Sequence, residues 1–347
     1  MQVVTDISEM EGCDNIALAR VLGWHVVVNK QEVQVGNKVV YFEIDSLLPA
    51  DNPSFAFLLN SKGKMKPLKP KKIRGYISQG LVMPLSILPT GEYEEGQDVT
   101  ELLQVVKYEP PVRFKIGKGN YSIPTKPFPS FIPKTDEDRV QTIPDKLKKF
   151  CGNEFVVTEK LDGTSFTAFI KDGEFGICSR NQQVPYDGLT IYGHTAINFD
   201  LENKFKELRK HFGYDFAMQG ELIGGSVQGN PYKLNGFDIR WFNFWNIDKQ
   251  KDVGFYFADT QEYLDFNGIT LGEAAALLDM ETVPIIDNSF VMIDDVDKLV
   301  EMASGKSLLN PEVEREGLVF RAKYNSKLSK FGERISFKAI SLDFLLQ

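Results

Sequence analysis

Six short apolar segments from Asn153 onward in this 347-residue chain limit its architecture more than any other feature. In order they read NEFVVTEKLDG, ICSRN, QGELI, WFNFWNI, EGLVFR and ISFKA, and all but the aromatic WFNFWNI carry a charged residue inside an apolar strand pattern. Charge in such a setting is costly unless it is paired or used. Five such segments predict sheets facing each other across a polar cleft. If the first strand continues to Asp162, period-two alternation puts Lys160 and Asp162 on one face.

The rest of the chain divides by composition. WHVVVNK (Trp24 to Lys30), KVVYFEID (Lys38 to Asp45) and GLVMPL (Gly80 to Leu85) are β-branched and aromatic runs bounded by turn residues, as in a small β-barrel. Seven of the seventeen prolines then fall between Val106 and Asp145, and consecutive X-Pro steps oppose both helix and central strand. This predicts domains at 1–107 and 134–347 joined by a Pro-rich linker over 108–133, in which Phe128, Phe131 and Ile132 need apolar cover. Beyond the linker, TDEDRVQTIPDKLKKF (Thr135 to Phe150) opens with Thr and acids, a helix N-terminus signal. Seven strands follow, with helices at Asn203 to His211 and Thr270 to Asp279.

The total charge of -8 conceals an uneven distribution. Lys62 to Lys134 holds 13 Lys/Arg against 6 Asp/Glu, a local +7, which leaves -15 for the remainder. KGKMKPLKPKKIR, Lys62 to Arg74, has seven basic residues and no acidic one. It is either a solvated loop or a phosphate-tracking surface built on Lys69, Lys71, Lys72 and Arg74. The three cysteines, Cys13, Cys151 and Cys178, are scattered and suit a reducing compartment rather than a disulfide framework or a zinc site. No signal peptide and no apolar run of membrane-spanning length is read, so the expected location is intracellular and cytoplasmic, with nucleus or organelle as alternatives; a monomer is expected.

The ordered set EKLDG, SRN, GEL, aromatic strand, EGLVF and SFK resembles the covalent nucleotidyltransferases: ATP-dependent DNA and RNA ligases and capping guanylyltransferases. The implied fold class is α+β, with an N-terminal OB-like β-barrel followed by a nucleotidyltransferase (ATP-grasp-like DNA/RNA ligase) domain of antiparallel sheets with flanking helices. The resemblance implies that Lys160 attacks the nucleotide α-phosphorus, using ATP and Mg2+ or Mn2+, and carries AMP covalently. It makes Lys338 an α-phosphate ligand and second catalytic residue, and Arg180 a phosphate or ribose contact. Phe242 would stack on the base; Glu159, Asp162 and Gly163 complete the nucleotide set; Glu316 would hold the metal, and Glu221 would be a ribose or metal contact. An amine must be neutral to attack. Lys338 and the metal would lower the Lys160 pKa while Asp162 opposes them, so competence is expected only with nucleotide and metal bound.

Only nine residues follow Lys338, too few for a second barrel, and the β-rich domain comes first. That order resembles RNA ligases of the Deinococcus and Naegleria type, as do VLGWHVVV, KKIRGYISQGL, FPSFIPKTDEDRVQ and ISFKAIS. The implied partner is RNA or an RNA-containing nicked duplex, joined through a lysyl-AMP intermediate and a 5′-adenylylated end. Many RNA ligases end their last motif as KxK, but here Ser336 and Ile340 flank Lys338. A second phosphate-binding cation would come from Lys323 or Arg334, or be absent. The alternatives are a DNA ligase, a GTP-dependent capping enzyme, or a non-catalytic RNA-binding relative.

Overall fold

The computed structural model describes residues 1–108, 123–252, 269–323 and 335–347. Their contacts divide them into two units that interleave in sequence: residues 1–108 with Val140–Lys146 and Leu345–Gln347, and residues 123–139 with Leu147–Phe344. Among the described residues, no helix is long and apolar enough to cross a membrane.

The first unit is a curled antiparallel sheet of β1 (Gln2–Glu9), β2 (Ile16–Val21), β3 (Trp24–Asn29), β4 (Lys38–Phe42) and β8 (Leu81–Met83), in the order β3-β2-β1-β4-β8. Two ribbons extend it, β5 (Ser46–Leu47) with β9 (Val106–Lys107) and β6 (Lys71–Ile73) with β7 (Tyr76–Ser78). Alternation makes the core: Ala17, Ala19 and Val21 of β2 and Trp24, Val26 and Val28 of β3 are buried, while the residues between them stay partly exposed.

The second unit is built on two sheets. One runs β10 (Lys126–Pro127), β15 (Gln182–Val184), β14 (Glu174–Cys178), β13 (Thr164–Lys171), β16 (Phe216–Gly224), β17 (Phe237–Asn246), β18 (Lys251–Asp252), all antiparallel. The other runs β11 (Asp138–Arg139), β21 (Ser336–Ile340), β20 (Gly317–Ala322), β12 (Glu154–Lys160), β19 (Ile285–Val291), with β11 parallel to β21 and the remaining neighbours antiparallel. Register separates the faces of this second sheet. Phe320 and Phe337 are cross-strand partners, Phe155 lies diagonally from them on the same face, and with Phe150 and Phe290 they form an aromatic core. Lys160, Thr158, Val319, Lys338 and Ser336 fall on the opposite face.

On the seven-stranded sheet, Phe166, Ala168 and Ile170 of β13 pack against the helices Ile191–Asn198 and Leu201–Phe212 through Tyr192, Ala196, Phe205 and Leu208. The proline-rich segment supplies cover for the other face. Phe128, Phe131 and Ile132 pack with Phe169, Cys178, Ala217, Ile247 and Trp245, and the Trp245 indole donates to Phe131 O at 3.1 Å.

The helix signal at Thr135 marks no helix. Asp138–Arg139 pairs with β21, and the helix begins only at Pro144, running to Phe150. Asp136 and Glu137 are engaged in tertiary contacts, with Arg180 and with Ser336, instead of capping a helix. The helices Leu201–Phe212 and Leu271–Leu277 occupy the expected segments; Thr270 and Glu273 form a capping box on the latter.

Candidate active site

Strand β12 ends at Lys160, two residues short of Asp162, so the two do not share a strand face; Asp162 lies in the turn to β13. Pairing of Lys160 with Gly317 brings Glu316 alongside, and Lys160 Nζ to Glu316 Oε2 is 2.6 Å, with side chains 25% and 16% exposed. Glu221, opposite Ser165 in the neighbouring sheet, is also half-buried and acts electrostatically on the same lysine. Gly163 allows this convergence: a Cβ there would meet Leu222 O at 2.6 Å and Glu221 Cγ at 2.7 Å.

Three carboxylates around one ammonium set the local charge. Burial pulls the Lys160 pKa down, but Glu316, Glu221 and Asp162 outweigh it and hold the ammonium above its ordinary range. Burial, followed by repulsion from Glu316, pushes Asp162 up to about 7 against the pull of Lys160. Burial pushes Glu221 up to about 8, with Lys160 opposing and Glu316 and Asp162 adding to the rise. The lysine of the isolated protein is therefore a held ammonium, not an activated amine.

Lys338 is half-buried on the Lys160 face, across Val319 from Thr158. Arg180 lies in the tight turn between β14 and β15, 2.6 Å from Asp136, and its charge is felt at Glu221. Phe242 is half-buried at a bulge in β17. Glu159 is not brought to the lysine's face. It is buried on the other side of the strand, accepts from Leu308 N at 2.7 Å, and burial raises its pKa.

Lys323, one of the two candidates for a second phosphate-binding cation, follows the end of β20 remote from Lys160 and is engaged there by Glu154 at 2.9 Å. Arg334 lies outside the described residues. Arg321 is the cation that sequence reasoning quoted but left unassigned. It is buried, donates to Phe242 O in the facing sheet, and reaches Glu137, which also accepts from Ser336. Its place could have been found by alternation, since Gly317, Val319 and Arg321 share parity with Lys160's partner position.

Two further residues went unread. Arg315, beside Glu316, donates to Met302, Ala303 and Ser304 carbonyls at 2.7, 3.0 and 2.8 Å and so closes the C-terminus of the helix Val296–Ala303. Tyr232 accepts the Asp162 N–H at 2.6 Å.

In the first unit, Lys69, Lys71, Lys72 and Arg74 are all exposed. Lys71, Lys72 and Arg74 belong to the β6–β7 hairpin, whose two-residue turn has positive φ at Arg74 (51°) and Gly75 (92°).

Among the described residues, no three His, Cys, Asp or Glu side chains are gathered in a metal-holding group. A magnesium-type ion keeps several waters and takes one or two carboxylates beside substrate phosphates, which suits the oxygen donors of Glu316 and Glu221.

An OB-fold domain family model matches residues 1–85 and an RNA ligase family model matches residues 153–340. No curated protein matches the chain. Among solved structures, Naegleria gruberi RNA ligase with PPi is 32% identical, at a TM-score of 0.82 over 99% of this chain and 96% of that one. A lysine-to-alanine variant of that ligase with ATP and Mn is 32% identical, at 0.82 over 99% and 97%. A lysine-to-methionine variant with AMP and Mn is also 32% identical, at 0.83 over 99% and 97%. By family model, by whole-chain similarity and by the order of its motifs, this chain belongs to the RNA ligase family.

Proposed function

We propose that the protein is an ATP-dependent RNA ligase that seals 3′-OH and 5′-phosphate ends at nicks in RNA-containing duplexes. The observation that carries this reading is Lys160 at a strand end, 2.6 Å from Glu316, with the Glu221 and Asp162 charges acting on it. Similar Naegleria ligase structures hold ATP with Mn and AMP with Mn, which supports the choice of nucleotide and of a divalent ion.

In the first step Lys160 gives up a proton and its Nζ lone pair attacks the α-phosphorus of ATP. The N–P bond forms as the P–O bond to the β-phosphate breaks, and pyrophosphate leaves with that electron pair. AMP then moves from Lys160 to the 5′-phosphate end, restoring the amine. Attack by the 3′-hydroxyl on the 5′-phosphorus expels AMP and closes the strand. Phosphoryl transfer of this kind needs positioning and charge neutralisation. Lys338 and Arg180 supply cations for the phosphates, and Phe242 supplies a ring for the base. Glu316 and Glu221 would hold a divalent ion that screens phosphate charge when bound. In this reading residues 134–347 transfer the nucleotide, while residues 1–107 grip the strand backbone through Lys69, Lys71, Lys72 and Arg74.

Incubation with magnesium and α-labelled ATP is expected to attach label to the wild type and none to Lys160→Ala. Labelling by GTP alone would identify a capping-type enzyme, and no label from either nucleotide would overturn the enzymatic reading.

A further inference from the structure

The turn that carries Lys160 into β13 is held from outside by one loop. Tyr232 is only 5% exposed and packs in the core shared by Leu161, Phe166 and Trp241, so its ring has little freedom. Its phenol oxygen accepts the Asp162 N–H at 2.6 Å, two residues from the nucleophile. Gln228, on the same loop, donates to Gly163 O at 3.3 Å. The loop is itself braced: Asn230 donates to Leu234 O and accepts from Leu234 N, both at 3.0 Å, and Asn310 donates to Pro231 O at 2.8 Å. The segment containing Asn310 also grips the strand before the turn, because Leu308 N donates to Glu159. The backbone on both sides of Lys160 is thereby referred to one scaffold.

We propose that Tyr232 is a positioning residue for Lys160, fixing the KLDG turn through the Asp162 N–H so that Nζ approaches the α-phosphorus in line. It touches neither nucleotide nor metal in this role. An unsatisfied, partly buried N–H is costly, so without its acceptor the turn rotates to find another partner. A shift of about 1 Å in a reacting atom costs on the order of a hundredfold in rate. The inference rests on the reading of Lys160 as the nucleophile.

The test compares full-length wild type, Tyr232→Phe, Gln228→Ala and the double variant. Transfer of label from α-labelled ATP to the protein is followed in single turnover across ATP concentrations, alongside thermal unfolding. Tyr232→Phe keeps the ring and loses the acceptor. It is expected to lower the rate at saturating ATP at least about tenfold, with the ATP concentration for half-maximal rate within about twofold of wild type. Gln228 is exposed, so its variant folds even if the phenylalanine variant does not, and it is expected to slow the same step about threefold. Because both act on one turn, the double variant should fall short of the product of the single losses. Wild-type rates in both single variants, or a loss confined to the half-maximal concentration, would overturn the assignment while leaving the lysine in place. A wild type that takes no label overturns the adenylyltransfer reading and this inference with it.

Discussion

Lys160 and Glu316 are 156 positions apart in the chain, yet their side chains form a 2.6 Å ion pair. The pair follows from register: β12 and β20 run antiparallel until Lys160 faces Gly317, and Glu316 is the next residue outward. Its consequence is electrostatic. The lysine is held as an ammonium by the carboxylates around it.

Because the Lys160 ammonium is held above its ordinary range, the neutral fraction grows with pH, and the adenylylation rate should rise with pH. Asp162, titrating at about 7, reinforces the lysine's charge only above that pH. Asp162→Asn should therefore shift the rising limb to lower pH, with the difference opening above about pH 7. Rapid-quench labelling between pH 6 and pH 9, on the order of half-unit steps, checks this.

Glu221 binds its proton more tightly folded than unfolded, since burial lifts it from 4.5 to about 8. Its stabilising contribution is complete below 4.5 and is lost as pH rises through about 8. Glu221→Gln cannot ionise, so its melting temperature should exceed that of the wild type at pH values above 8 and lose the advantage toward 4.5. Calorimetry across that window reads the difference. A variant with the wild-type pH slope would assign the slope elsewhere.

Gly163→Ala would drive a methyl group against Leu222 O at 2.6 Å and Ile223 Cγ2 at 2.8 Å, in a turn with no flexible neighbour at that carbonyl. A loss of about 1–3 kcal/mol in stability is expected from such overpacking. Adenylylation should fall further than unfolding alone accounts for, because the turn carries Lys160; denaturant titration and labelling on the same sample separate the two.

Neutralising Lys69, Lys71, Lys72 and Arg74 should leave adenylylation unchanged and weaken strand joining. If all four contact phosphates, the slope of log affinity against log salt should flatten by about 3 to 4. Filter binding at several salt concentrations measures it, and an unaltered slope would remove the hairpin from the nucleic-acid surface.

Much of this organisation was readable in the residues themselves. Period-two runs identified the strands of the site, and the cost of charge in apolar strands pointed to a polar cleft before any partner was known. Local rules were weakest where long-range contacts compete for the same side chains. At Thr135 the acids that mimic a helix start are taken by Arg180 and Ser336, 44 and 199 positions away.

Sequence alone determined which segments of the site are strands, which residues bear charge among them, and the family to which their order belongs. Tertiary structure decided how they meet. Glu159 and Lys160 are neighbours in the chain, but one turns to Leu308 and the other to Glu316. Asp162, Glu221 and Glu316 act on one lysine only because a turn and two strands distant in sequence converge. Arg321 and Tyr232 gain their roles from the facing sheet and a braced loop, through contacts whose partners no local pattern names.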